Sequence, residues 1–309
     1  QVADELLGSD FKTATRPSGK AADEAATRAV LLARQLLDSL LAMTPPDAAR
    51  ASGVLDTLNA VIDHSKIQTG GFRDELLFRK FQLALARQDQ AEAEKLADQL
   101  VTLAADTRRA GAGSGAGTSA VLSGASRFAL SAQRALYLTA VEHFRRTQQA
   151  AARNGAASGG TAQERAAAGA AAEDVQRFGQ AVLDQFSDSG SASDNTVVSV
   201  RDEVAAAGEY LWLTKNDAAA RDAAIRLDKA AMQSGRPTLA ALRRLGVLSE
   251  ASGDTATALD AWRQLGASLQ PATEQWYRAK YESIRLLAIT DKEGARQALS
   301  QHKLLYPTL

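Results

Sequence analysis

The sequence contains no cysteine, and this absence excludes disulfide bonds, thiolate metal sites and thiol catalysis together. It also lacks an excess of either charge, since 36 basic side chains balance 36 acidic ones. A protein that binds nucleic acid ordinarily carries a basic surplus or stripe, because neutralising phosphates supplies most of its affinity. We therefore expect neither nucleic acid nor an anionic membrane surface as a partner.

Long apolar runs are missing as well. No uncharged segment approaches the ~18 residues that a membrane-spanning helix needs, so we expect no membrane span. The chain begins at Gln1, and either cleavage by a signal peptidase or a cut within a longer protein would explain this start. The lack of cysteine does not fix the compartment, although it is compatible with an oxidising one, and we favour an exported or periplasmic location over the cytoplasm.

Aromatic residues and prolines are scarce, while alanine is abundant. Aromatic side chains make up 5% of the chain and there are six prolines, so long helices are left uninterrupted. Alanine is the best intrinsic helix former and lets neighbouring helices approach closely. The composition therefore favours an all-α protein built from thin, stacked pairs of helices over a sheet sandwich.

One pattern of helix, break and helix occurs twice between Thr238 and Pro307. The break is 252–254 in the first copy and 290–291 in the second. Gly246 and Lys280 occupy equivalent places that are 34 residues apart. A repeat of this period is the usual sequence sign of a helical solenoid made of stacked helix pairs.

Weaker signs of the same pattern occur earlier in the chain. Apolar residues follow the break at Asp89 with the same offsets as those that follow Asp254. Glycine-rich and polar segments separate the helical stretches, because chains rich in glycine lose too much entropy on ordering. These patterns predict a tail at 1–20, helical pairs at 21–107, a glycine-rich loop at 108–120, a long helical pair at 121–187 with a second glycine-rich loop at 154–160, a polar linker at 188–196, and C-terminal helical pairs at 197–309.

The C-terminal pattern resembles the tetratricopeptide repeat (TPR), in which a Leu-Gly step on helix A is followed by small and large residues on helix B and a closing proline. The matching residues are Leu242, Leu245, Gly246, Ala258, Trp262, Leu265 and Pro271, and then Trp276, Ala279, Ala295, Leu299 and Pro307. Ser249 and Ser283 depart from the pattern by replacing its helix A aromatic residue. The segment also looks like the last repeat of many bacterial TPR proteins. The resemblance implies a right-handed superhelical solenoid of stacked antiparallel helix hairpins that binds other proteins or peptide segments.

In TPR proteins helix A lines a concave groove, and the resemblance transfers that role to particular positions of this chain. The predicted partner contacts are Arg243, Val247, Glu250, Tyr277, Tyr281 and Arg285. Tyrosine and arginine are common interface anchors because they combine a large contact area with a polar group. The alternative is that Tyr277 and Tyr281 simply pack against Trp262 or Trp276 as part of the core.

No catalytic constellation stands out. The three histidines, His64, His143 and His302, are far apart in the sequence, whereas a zinc site needs three or four convergent ligands. We expect no metal, no cofactor and no enzymatic activity, and we interpret the chain as an interaction scaffold. Two alternatives stay open: a structural subunit of a larger extracytoplasmic complex or filament, which would pack through its ends and loops, and an enzyme of unrecognised type.

Overall fold

The computed structural model describes residues 20–64, 72–112, 124–153, 161–188 and 195–306, and within these ranges every regular element is an α-helix. The all-α expectation is therefore confirmed for the described part of the chain. The helices are α1 Lys20–Leu41, α2 Ala48–His64, α3 Phe72–Ala86, α4 Gln90–Ala112, α5 Gly124–Arg153, α6 Ala162–Asp188, α7 Asn195–Lys215, α8 Ala218–Gln233, α9 Leu239–Ala251, α10 Thr255–Ser268, α11 Glu274–Thr290 and α12 Lys292–Leu305.

Several predicted connecting segments lie outside the described residues. These are 1–19 of the tail, all of the second glycine-rich loop at 154–160, and 189–194 of the polar linker. The first glycine-rich segment, predicted as a loop over 108–120, is helical up to Ala112, where α4 ends, and its residues 113–120 lie outside the described residues. Alanine is a strong helix former, so alternation with glycine at 110–112 does not end the helix there.

The chain divides into two compact units, Gln1–Leu136 and Tyr137–Leu309, and the boundary falls inside α5. Within the first unit α1 packs on α2, α2 on α3 and α3 on α4, and α1 also contacts α3. Small and aliphatic side chains from α1 and α2 form a buried core there, which includes Ala29, Leu37, Leu40, Val54, Leu55 and Leu58.

In the second unit, as in the first, helices that follow one another in the sequence pack together. From α6 to α12 each helix packs on the next, and α7 also contacts α9. Leu242, Trp262 and Leu286 contribute to a buried cluster that α9, α10 and α11 share. Contact between successive helices and between alternate helices is what stacked helix pairs require.

Three of the short turns between helices use the same local structure. Their central residues, Gln88, Asn216 and Gly253, have positive φ angles of 59°, 56° and 85°. Each is followed by an aspartate whose carboxylate accepts a hydrogen bond from the backbone N–H three residues later, at 3.1, 3.0 and 3.1 Å. A left-handed residue ends one helix and an aspartate N-cap begins the next, so the turn chemistry repeats along the chain.

Among the described helices none has the length and apolar character needed to cross a membrane.

Candidate functional site

The six predicted partner contacts lie on two helices of the second unit. Three of them, Arg243, Val247 and Glu250, lie on α9, and the other three, Tyr277, Tyr281 and Arg285, lie on α11. Within each helix they are three or four residues apart, which is the spacing of side chains on one helical face. The structure therefore provides one candidate face on each of α9 and α11.

Arg285 and Glu250 contact each other directly across these two helices. The Arg285 Nη2 atom donates to Glu250 Oε2 at 2.6 Å, and Nε donates to Glu282 Oε2 at 2.8 Å. The hydrogen bond to Glu250, together with that to Glu282, holds the pKa of Arg285 above its usual value. Two of the predicted contacts are thus paired with each other within the chain.

Arg243 forms an equivalent pair with a residue that the sequence analysis did not select. Its Nη2 atom lies 2.9 and 2.8 Å from the two carboxylate oxygens of Glu209 on α7. The residues of this pair are 34 positions apart and those of the Glu250–Arg285 pair are 35 apart. Glu209 precedes Arg243 by one repeat, as Glu250 precedes Arg285, and this spacing was the sequence signal that could have identified Glu209.

The two tyrosines have different environments. Tyr281 is 63% exposed. Tyr277 is half-buried, and its ring lies edge-on to Trp276 with 5.1 Å between the ring centroids. His302 and Tyr306 also contact Tyr277, with centroid distances of 5.9 and 6.0 Å. The core alternative therefore describes the packing of Tyr277, whereas Tyr281 is available for contact with another molecule.

Val247, the remaining predicted contact, is half-buried and packs against the core cluster of α9, α10 and α11. An aliphatic residue in this position adds apolar surface between the two ion pairs of the face.

A buried arginine lies next to Arg243 and was not anticipated. Arg244 is 2% exposed and makes two hydrogen bonds to Asp228 on α8, at 2.8 and 2.7 Å, and a third to Asp202 on α7 at 2.7 Å. Burial raises the pKa of Asp228 to about 6, although hydrogen bonds from Arg244 act in the opposite direction. Arg244 lies between Ala241 and Leu248 on the apolar stripe of α9. An arginine on an apolar stripe was the sequence signal that could have predicted its burial.

An open cleft of about 340 Å³ lies between α10, α11 and α12. Two indole rings contribute to it, those of Trp262 and Trp276, whose residues are 2% and 6% exposed. The basic side chains among its described lining residues are those of Arg263, Lys280 and His302, and none of the lining residues is an aspartate or a glutamate. The cleft is thus apolar at its base and basic in its charge.

The described ranges contain no group of three or more histidine, cysteine, aspartate or glutamate residues that could hold a metal ion. His302 lies in the aromatic cluster, with its ring centroid 5.4 Å from that of Trp276 and 5.2 Å from that of Tyr306. His143 lies on α5, far along the chain from it.

Comparisons with known proteins identify no family for this chain. The sequence matches no protein-family model, and no curated protein sequence is similar enough to be identified as a relative.

Proposed function

We propose that this chain is a non-enzymatic protein-interaction scaffold of the TPR type. In this proposal the helices form a right-handed superhelical solenoid of stacked antiparallel hairpins, in which α7, α9 and α11 are successive A helices. A partner protein or peptide segment binds along the concave face that these A helices form. An exported or periplasmic location is favoured over the cytoplasm in this proposal, and the partner is a protein of the same compartment.

The observation that carries the proposal is the pair of ion pairs Glu209–Arg243 and Glu250–Arg285. They join α7 to α9 and α9 to α11 at separations of 34 and 35 residues, which is the period of the repeat. Side chains one repeat apart therefore meet directly, as they do where equivalent helices lie side by side. Such an arrangement gives a continuous face with alternating charges and an exposed Tyr281.

This face is suited to protein recognition more than to catalysis. Both arginines keep substantial exposure, with 44% of the Arg243 side chain and 36% of the Arg285 side chain accessible. Arg243 is held by one carboxylate and Arg285 by two, and each still has N–H groups for a further acceptor, because a guanidinium has five donors. Tyr281 would add a large, amphipathic contact surface between the charged groups.

Native co-purification with mass spectrometry tests the proposal. Tagged protein carrying Arg243→Ala, Tyr281→Ala and Arg285→Ala together should lose partners that the unsubstituted protein captures. The matched control is Arg296→Ala together with Arg226→Ala, which removes exposed arginines of α12 and α8, two helices that carry none of the predicted contacts. If the triple variant captured the same partners as the control, the groove hypothesis would be wrong.

A structural subunit of a larger assembly is the second candidate, and exposed leucines of α12 favour it. Leu299, Leu304 and Leu305 are 42%, 82% and 71% exposed. Leu304 and Leu305 are neighbours in the sequence, and exposed apolar surface commonly marks an interface. Light scattering of the purified protein should then show assembly that Leu304→Glu with Leu305→Glu abolishes, whereas a strict monomer would count against this candidate.

A further inference from the structure

We propose that the cleft between α10, α11 and α12 is a second docking site, which binds a partner segment carrying a carboxylate next to a bulky apolar side chain. This site is distinct from the helix A face of the proposed function. Lys280 contributes to the cleft, whereas Tyr281, the next residue, points about 100° away around the same helix.

The base of the cleft is apolar and aromatic. Trp262 of α10 and Trp276 of α11 line it together with Ile284 and Leu287. A volume of about 340 Å³ is at the lower end of the range for pockets that hold small ligands, which is about 300–1,000 Å³. This room suits one or two apolar side chains of a peptide.

Two cations lie at the α10 edge of the cleft. The aliphatic part of the Lys280 side chain extends from α11 towards α10. A Cβ atom added at Gly266 of α10 would be 3.8 Å from the Cδ and Cε atoms of Lys280. Arg263 is three residues before Gly266 and therefore lies on the same face of α10. The ammonium of Lys280 and the guanidinium of Arg263 thus flank one end of the apolar base.

These cations are poorly neutralised by the protein itself. Among the described residues Lys280 has no ion-pair partner, and its Nζ atom instead lies 5.4 Å from the centroid of the Trp276 ring. Arg263 is paired only at the limit of contact, with 4.0 Å between its Nη1 atom and Asp260 Oδ1. By contrast, Arg243 and Arg285 on the helix A face are 2.8 and 2.6 Å from carboxylates.

Charge complementarity therefore selects an acidic occupant. A carboxylate placed beside Lys280 and Arg263 would form charge-assisted hydrogen bonds at the rim, while its apolar neighbour would enter the space against the indoles. A basic or purely apolar segment would leave both cations without a partner in a partly desolvated site.

A phage-displayed library of random dodecapeptides, selected on the purified full chain, tests this inference. Selection should enrich peptides that have aspartate or glutamate beside leucine, isoleucine or an aromatic residue. Lys280→Glu and Arg263→Glu should each weaken the selected peptides at least tenfold in a fluorescence anisotropy titration. Lys280→Gln should weaken them less, and Arg278→Glu, a charge reversal on an exposed part of α11, should leave binding unchanged.

Several results would overturn the inference. One is the absence of enriched peptides, and another is enrichment of peptides without carboxylates. A third is binding that survives Lys280→Glu but is lost in the Arg243, Tyr281 and Arg285 variant, which would assign the peptides to the helix A face instead. A dimer that Lys280→Glu dissociates would show that a second copy of the chain occupies the cleft. Circular dichroism of each variant establishes that the helices are intact.

Discussion

Gly246 lies so close to the Trp262 indole that a Cβ atom at position 246 would be 2.6 Å from Cε2 and Nε1 of the ring. Helices α9 and α10 therefore cross at a point where only a hydrogen atom fits between them. The Trp262 Nε1 atom is buried there and has no hydrogen-bond partner among the described residues. Both features follow from packing a large aromatic side chain directly against a helix backbone.

Gly246→Ala should destabilise the second unit by about 1–3 kcal/mol, because the added methyl group must displace Trp262 from its packing position. Urea unfolding followed by circular dichroism and tryptophan fluorescence would measure the change. Gly266→Ala on α10 is the matched control, since its Cβ would lie 3.6 Å from Ala279 Cβ in ordinary van der Waals contact. That variant should be neutral or more stable by up to about 1 kcal/mol. Equal effects of the two substitutions would contradict the role of the close crossing.

Arg244→Met should destabilise the protein by about 3–5 kcal/mol, because it leaves the Asp228 carboxylate buried without its partner. Asp228 is 2% exposed. Adding Asp228→Asn to the same chain should recover much of the loss, since the uncompensated charge is then gone. Arg243→Met provides the control at the neighbouring, exposed position and should cost less than about 1 kcal/mol. Thermal and urea unfolding of all three variants would measure these differences.

The pH dependence of stability should include a contribution from Asp254. Hydrogen bonds from the Thr257 side chain, and from Lys229, lower the pKa of Asp254 to about 2. Since the folded pKa is below the ordinary value of 3.8, the ionised carboxylate stabilises the fold at and above about pH 4, and this contribution is lost as the pH falls through 2.

Asp254→Asn isolates this charge effect, because asparagine is also a good N-cap. The variant should be less stable than the unsubstituted protein at pH 5, and the difference should shrink between pH 4 and pH 2. Unfolding midpoints in urea over that range would show it. Asp260→Asn removes one exposed negative charge from the same helix and serves as the control. A difference that stayed constant with pH would refute the assignment.

Gln88→Gly should stabilise the first unit by about 0.5–1 kcal/mol. The φ of 59° at Gln88 is a left-handed conformation, which costs a residue with a side chain about 1–2 kcal/mol. Glycine removes this strain, and the strain removed exceeds the extra conformational entropy that glycine loses on folding. Arg87→Gly, at the preceding position without a positive φ, should instead destabilise the unit. Thermal unfolding measures both, and a loss of stability in Gln88→Gly would argue against the turn geometry.

The Glu250–Arg285 pair should contribute little to stability. Both side chains are more than a third exposed, at 37% and 36%, so water screens their attraction. A double-mutant cycle with Glu250→Ala and Arg285→Ala should therefore give a coupling energy below about 1 kcal/mol. Any large loss of partner capture in Arg285→Ala would then report on binding, because the folded state would be nearly unaffected. A coupling energy of several kcal/mol would identify the pair as structural.

Much of the local structure was predictable from the sequence. Turn residues at Asp89, Asp217, Asp254 and Asp291 mark where helices begin, and the apolar periodicity between them predicted helices in the right places. Local periodicity and capping chemistry depend on residues within a few positions of one another, which is why a single sequence reveals them. The glycine alternation at 110–112 was a weaker signal, and there the helix continued.

The environment of each side chain was decided by the tertiary structure. Arg243 and Arg244 are adjacent in the sequence, yet one is exposed beside Glu209 and the other is buried between Asp228 and Asp202. Tyr277 and Tyr281 separate in the same way, into an aromatic cluster and an exposed position. The sequence by itself determined the helices and their period, because these follow from short-range backbone preferences and patterning. The tertiary structure decides which charged side chains are neutralised within the chain and which are left for a partner. The ion-paired residues are 16 to 42 positions apart in the sequence, and only the packing of their helices brings them into contact.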